Sequence, residues 1–197
     1  MRSTRFSLGR KVALCTAVGG SLALAVPAHA QTGGSGSPTT TSTTVTTTPS
    51  FRTVPGTRAK FLKKSGKAIP PADAPPAIQN AIIAANKIRK RPYRYGGGHG
   101  NFYDRGYDCS GAVSYLLYAA GLLTAPMPSG PFMTWGEPGE GQWITVYANK
   151  GHMYAMIAGL RWDTSQAGDR LRQGKGPRWR PTKRKPKGYA VRYLPGY

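Results

Sequence analysis

From Val12 to Val26 the chain is a largely apolar run, and from Thr32 to Ser50 it has almost no apolar residues. Beyond residue 76 the pattern becomes periodic. Ile78, Ile82, Ile83 and Ile88 recur at helical spacing, which predicts a helix over Ala77 to Arg89, stopped by Pro92. Tyr93 to Gly106 is a glycine-rich loop. Asp108 then stands as an N-cap before a second helix, Cys109 to Ala120, whose apolar set is Ala112, Val113, Leu116, Leu117 and Ala120. Gly121 is the residue that ends it. Ala125 to Gly141 reads as loop. Strands are predicted at Trp143 to Tyr147, His152 to Ala158, Leu160 to Thr164 and Gly188 to Leu194, with a tight turn at Gly159 between the second and third. Helices first and strands after predict an α+β fold, the N-terminal helices packed on an antiparallel sheet.

The first 30 residues have the three parts of an export signal. Arg2, Arg5, Arg10 and Lys11 precede the apolar run, and Ala28-His29-Ala30 is a cleavage pattern, so residues 1–30 are expected to be removed. The run is too short and too glycine-broken for a membrane span. Residues 31–76 are expected to be a largely disordered linker. Its Ser/Thr-rich part holds 13 such residues between Thr32 and Ser50, and a basic, proline-rich part follows, with a small helix near Phe61 and Leu62. Residues 77–197 are expected to form one domain.

The formal charge is +21, and loss of the leader leaves 24 basic against 7 acidic residues, +17. Such a chain is drawn to polyanions. An exported protein would meet anionic wall polymers before nucleic acid, even though Arg178, Arg180, Lys183, Arg184, Lys185 and Lys187 cluster around Trp179. That cluster is read as a solvated basic loop.

Cys15 lies in the leader, so Cys109 is expected to be the unpaired cysteine of the exported chain, either a reactive nucleophile or an intermolecular partner. A helix N-terminus favours a thiolate, and the backbone N–H of a residue there is free to stabilise an oxyanion. Two histidines remain as bases. His152 starts an apolar strand, and His99 lies in the glycine loop, where it is harder to hold. Asp163, 11 residues past His152 and across the turn at Gly159, is the candidate to orient the imidazole. One cysteine and two histidines at these spacings do not make a zinc site, and neither metal nor cofactor is expected.

Three segments carry a resemblance: Pro92-Tyr93-Arg94-Tyr95-Gly96-Gly97, Tyr107-Asp108-Cys109-Ser110-Gly111, and Gly151-His152. Together they resemble the NlpC/p60 family of papain-like cell-wall peptidases, over roughly Ala77 to Thr164. The resemblance implies a papain-like NlpC-type fold and cleavage of peptidoglycan stem peptides, often between D-glutamate and a diamino acid. It implies that Cys109 is the nucleophile and His152 the base, that Tyr93 shapes a subsite, and that Asp108 and Ser110 contact the free amino end of the stem peptide. The chain departs from the family in two places. The third position is commonly His, Asn or Gln, whereas Asp163 is used here and lies one residue early. The strand reads His-Met-Tyr-Ala-Met rather than H-V-G-I-Y.

The leading reading is a secreted or wall-associated, monomeric cysteine peptidase acting on stem peptides through a Cys-His-Asp triad, with no nucleic-acid partner. The rivals are a non-catalytic wall- or polyanion-binding protein and an amidase or acyltransferase on the same fold.

Overall fold

In the computed structural model, the described residues are 51–197. The leader and the Ser/Thr-rich stretch lie outside them. All described residues belong to one compact unit.

The first elements fall where the sequence predicted a linker. Strands β1 (Lys60–Leu62) and β2 (Lys67–Ile69) form an antiparallel hairpin, with Phe61 opposite Ala68. Phe61-Leu62 is therefore strand, not helix. The lysines that suggested disorder, Lys60, Lys63, Lys64 and Lys67, all point to solvent, while Ala68 and Ile69 are buried. A distant residue closes the edge of β2. The Asn86 side chain accepts from the Ala68 N–H at 2.9 Å and donates to the Ala68 carbonyl at 2.8 Å. It satisfies a strand edge that would otherwise need water or another strand.

Asn86 belongs to α1 (Pro76–Ile88), which has proline in its first turn, where no backbone donor is missed. Ile78, Ala81, Ile82, Ala85 and Ile88 face the core, while Ile83 is only half-buried. Helix α2 (Cys109–Ala119) is buried along its first nine residues. That is the condition of a helix apolar on every side. It lies between α1 and the sheet.

The sheet follows. A 3-10 turn at Pro131–Thr134 and a two-residue strand, β3 (Glu137–Pro138), occupy what the sequence predicted as loop. They are followed by β4 (Ile144–Ala148), β5 (Met153–Ile157), β6 (Leu160–Asp163), β7 (Arg178–Arg180) and β8 (Ala190–Tyr193). The order is β3-β8-β4-β5-β6-β7, and every pairing is antiparallel. The protein is α+β, with its helices packed on an antiparallel sheet.

Strand β7 corrects the reading of the basic cluster as a solvated loop. Arg180 is fully buried opposite an equally buried Arg161, and Asp169 pairs with Arg180. The alternating residue, Trp179, faces the helices. Its ring lies 5.0 Å from Trp162, and its Nε1–H donates to Asn86 at 3.0 Å. Trp162 in turn donates to the Ala112 carbonyl of α2 at 3.2 Å. The sheet, both helices and the hairpin thus converge on a few polar contacts inside an apolar core.

Asn86→Ala removes three of these contacts and leaves the Ala68 backbone and the Trp179 N–H without partners. It should destabilise the protein by about 2 kcal/mol in urea unfolding and speed hydrogen exchange at Ala68.

Candidate functional site

The glycine loop is sewn onto the residues that precede α2. Tyr93 and Tyr107 form a parallel bridge, the Tyr107 N–H donates to the Pro92 carbonyl at 3.1 Å, and the Asp108 N–H donates to the Gly97 carbonyl at 3.1 Å. The loop passes so close to the helix that a Cβ on Gly111 would run into the Gly97 carbonyl. A glycine two residues after Cys109 is a packing requirement of this approach.

Asp108 caps α2. Its Oδ1 accepts from the Gly111 N–H at 2.8 Å and from the Ser110 hydroxyl at 3.2 Å, and its Oδ2 accepts from the Gly96 N–H at 3.1 Å. His99, expected to be poorly held, reaches the same cluster. Its Nε2 lies 3.0 Å from Asp108 Oδ1 and 3.1 Å from Ser110 Oγ. Asp108 and Ser110 therefore have an imidazole of this chain as a partner. A His nine residues before an Asp carries no local signal of this contact. It depends on the loop folding back.

Cys109 is the first residue of α2, a free thiol with 8% of its surface exposed. His152 approaches it from the sheet. The turn before β5 is fixed by Asn149, whose Oδ1 accepts the N–H groups of Gly151 at 3.0 Å and His152 at 2.8 Å. This sets His152 at the start of β5. Asp163 ends β6. Strands β5 and β6 are joined by Ala158 and Gly159, both at positive φ, the two-residue turn that matches strand twist. Their register, Ala155 opposite Trp162, brings the start of one strand beside the end of the other. His152 Nε2 lies 2.9 Å from Asp163 Oδ1, and Cys109 is near enough to bear on the charge of the imidazole. With Nε2 engaged by Asp163, Nδ1 is the nitrogen left for the sulfur.

Burial pushes His152 toward its neutral form. The hydrogen bond to Asp163 and the influence and charges of Asp163 and Cys109 outweigh burial and hold its pKa up at about 9. Asp163 is fully buried, and its other oxygen faces two arginines. Arg184 donates to Oδ2 at 3.3 Å, and Arg161 Nε stands 3.5 Å away. Neither arginine is distinguishable in the sequence from its basic neighbours.

Tyr93 is partly exposed and lines a cavity of about 260 Å³ with His152, Thr164, Ser165, Gln166 and Lys175. Burial and the nearby charges of Cys109 and Asp108 raise its phenol pKa, so it remains a donor. The structure thus places Asp163 on His152 with Cys109 nearby, puts Tyr93 in a cavity that His152 also lines, and sets Asp108 and Ser110 either side of Cys109 in the chain, bonded to one another.

No protein-family model matches the chain, and no curated protein does. Several solved structures are similar. The peptidoglycan hydrolase RipB from Mycobacterium tuberculosis is 21% identical, with a TM-score of 0.46, over 61% of this chain and 66% of its own. A mutated form of RipA, the Resuscitation Promoting Factor Interacting protein, is 23% identical, with a TM-score of 0.43, over 60% of this chain and 62% of its own. A hypothetical invasion protein of Mycobacterium tuberculosis is 21% identical, with a TM-score of 0.42 and the same coverage. This chain spans less than two thirds of each of these structures.

The raised His152 pKa has a consequence for stability. A folded value of about 9 against an ordinary 6.5 means that the folded state binds the proton more tightly than the unfolded chain. The contribution is complete below pH 6.5 and is lost as pH rises through 9. Wild type should lose up to about 3 kcal/mol relative to His152→Gln over that interval, measured by urea unfolding at each pH.

Proposed function

We propose that the protein is a cysteine peptidase that hydrolyses peptide bonds in peptidoglycan stem peptides. The observation that carries the chemistry is the His152 imidazole, 2.9 Å from a buried carboxylate and influenced by the free Cys109 at the start of α2. The choice of substrate rests on the resemblance of the Tyr93 to Gly97, Asp108 to Gly111 and Gly151-His152 segments to NlpC/p60 peptidases.

In this reading His152, whose raised pKa favours the imidazolium, already holds the proton, and Cys109 attacks the scissile carbonyl as the thiolate paired with it. The backbone N–H of Cys109 at the start of α2 stabilises the oxyanion. As the tetrahedral adduct collapses, the C–N bond breaks, the imidazolium passes its proton to the leaving amine, and the acyl group remains on sulfur as a thioester. His152, now neutral, takes a proton from water, which attacks the thioester; collapse of the adduct breaks the C–S bond and releases the acid, leaving the thiolate beside the imidazolium as at the start. Asp163 keeps the imidazole oriented and stabilises its charged form. Tyr93 and the adjoining cavity receive the peptide, and Asp108 and Ser110 form the polar flank. The domain of this reading extends back from residue 77 to include the hairpin at residues 60–69.

The basic surface suits an exported, monomeric protein retained by anionic wall polymers. Attraction of that kind should weaken steeply with salt, whereas bond cleavage should depend on the thiol.

The test is digestion of purified peptidoglycan by the full chain, wild type and Cys109→Ala, with soluble products analysed by mass spectrometry. Wild type should release stem-peptide fragments, and Cys109→Ala should lower their rate by about a thousandfold or more while keeping the wild-type circular dichroism spectrum. Equal release by the variant would remove Cys109 as the nucleophile. Binding without release by either protein would favour the wall-binding reading.

A further inference from the structure

We propose that Arg184 is a positioning residue of the Cys109–His152–Asp163 site: it holds the far oxygen of the Asp163 carboxylate, so that the near oxygen stays on His152, and its charge limits how tightly the imidazole keeps its proton. This inference rests on the reading of that site as a hydrolase centre.

The carboxylate has two oxygens with different partners. Oδ1 takes His152 at 2.9 Å and the Ser165 N–H at 2.8 Å. Oδ2 takes Arg184 Nη1 at 3.3 Å. The other nearby arginines do not substitute. Arg161 Nε stands 3.5 Å from Oδ2 but has no hydrogen-bond partner, so it contributes charge without direction. The Arg180 guanidinium is committed to Asp169, to the Gly174 carbonyl at 2.8 Å and to the Asp163 backbone carbonyl at 3.1 Å. Among the described residues, Arg184 is the side chain that gives Oδ2 a hydrogen bond.

Arg184 is itself well held. Its guanidinium lies over the rings of Tyr154 and Tyr189, 5.6 and 5.4 Å from their centroids. The segment that carries it is tied at both ends. The Thr182 hydroxyl donates to the Gly168 carbonyl at 2.7 Å, and the Asn149 side chain donates to the Gly188 carbonyl at 3.1 Å. Asn149 is also the residue that shapes the His152 turn, so one amide couples the base to the arginine segment. Lys183, Lys185 and Lys187 point to solvent, while Arg184 turns inward.

The groups facing His152 and Asp163 are Cys109 from α2, Tyr154 from β5, Arg161 from β6, Arg180 from β7, Arg184 and Tyr189 from the C-terminal segment, and Tyr93 and Lys175 across the cavity. Removal of the Arg184 charge leaves the Asp163 carboxylate less neutralised. His152 would then hold its proton to higher pH and give it to the leaving amine less readily.

The direct test is the NMR titration of His152 in the full chain carrying Cys109→Ala, with and without Arg184→Gln, the resonance being assigned with His152→Gln. The midpoint should rise by at least about half a pH unit in the Arg184→Gln protein. Arg184→Met, which keeps the stem between the two tyrosines, should give the same rise and stands in if the glutamine variant does not fold. On peptidoglycan, with Cys109 present, Arg184→Gln should lower kcat about tenfold with KM unchanged and move the basic limb of the pH profile upward. Arg184→Lys, which keeps the charge, should leave that limb in place. An unmoved His152 midpoint in a folded variant would overturn the proposal, as would a change in KM alone. The titration is read without turnover. A shifted midpoint in a protein that cleaves nothing would therefore sink the hydrolase reading and leave the Arg184 assignment standing.

Discussion

A carboxylate with no exposed surface cannot keep its charge unless cations and donors surround it, and Asp163 sits in that situation at the end of β6. His152 and the Ser165 N–H satisfy one oxygen, and Arg184 and the charge of Arg161 satisfy the other. This requirement fixes the sheet end of the site. The β5–β6 turn must be tight enough to bring His152 beside Asp163, and the C-terminal segment must cross back to deliver Arg184. The thiol at the start of α2 then meets an imidazole whose orientation is already decided.

The same electrostatics extend behind the site. Arg161 and Arg180 are buried opposite one another on neighbouring strands, and burial pushes both below the usual arginine range despite the attraction of Asp163 and Asp169. Two like charges in adjacent positions are tolerable because two carboxylates lie among them. Arg161 still has Nε and Nη1 without hydrogen-bond partners. The rear of the site is therefore held by charge balance, and the front by directed hydrogen bonds.

The parts of this arrangement that follow local rules were legible in the sequence. The Asp108 cap, the buried run of α2 and the Gly159 turn between β5 and β6 all depend on residues close to each other in the chain, so spacing indicated the helix, the strand pair and the approach of Asp163 to His152, whereas the place of Cys109 was expected from a helix packing across the sheet and from the resemblance. The hairpin at residues 60–69 was not legible. Lysines dominate its composition, and its edge is satisfied by Asn86, 18 residues from Ala68. Strand β7 was hidden for a related reason, since a buried arginine is indistinguishable in sequence from a solvated one until its carboxylate partner is located. His99 and Arg184 reach the site through loops whose course depends on the completed fold.

In the proposed reaction His152, close to Cys109, makes the thiol a nucleophile. The most direct measurement is the rate at which iodoacetamide alkylates Cys109 at pH 7, followed by peptide mass spectrometry in the full chain, for wild type and His152→Ala. The account predicts a rate at least about tenfold higher in wild type, because an imidazole able to take the proton sustains the reactive thiolate. Equal rates in two equally folded proteins would mean that the imidazole does not activate the thiol, and would contradict it.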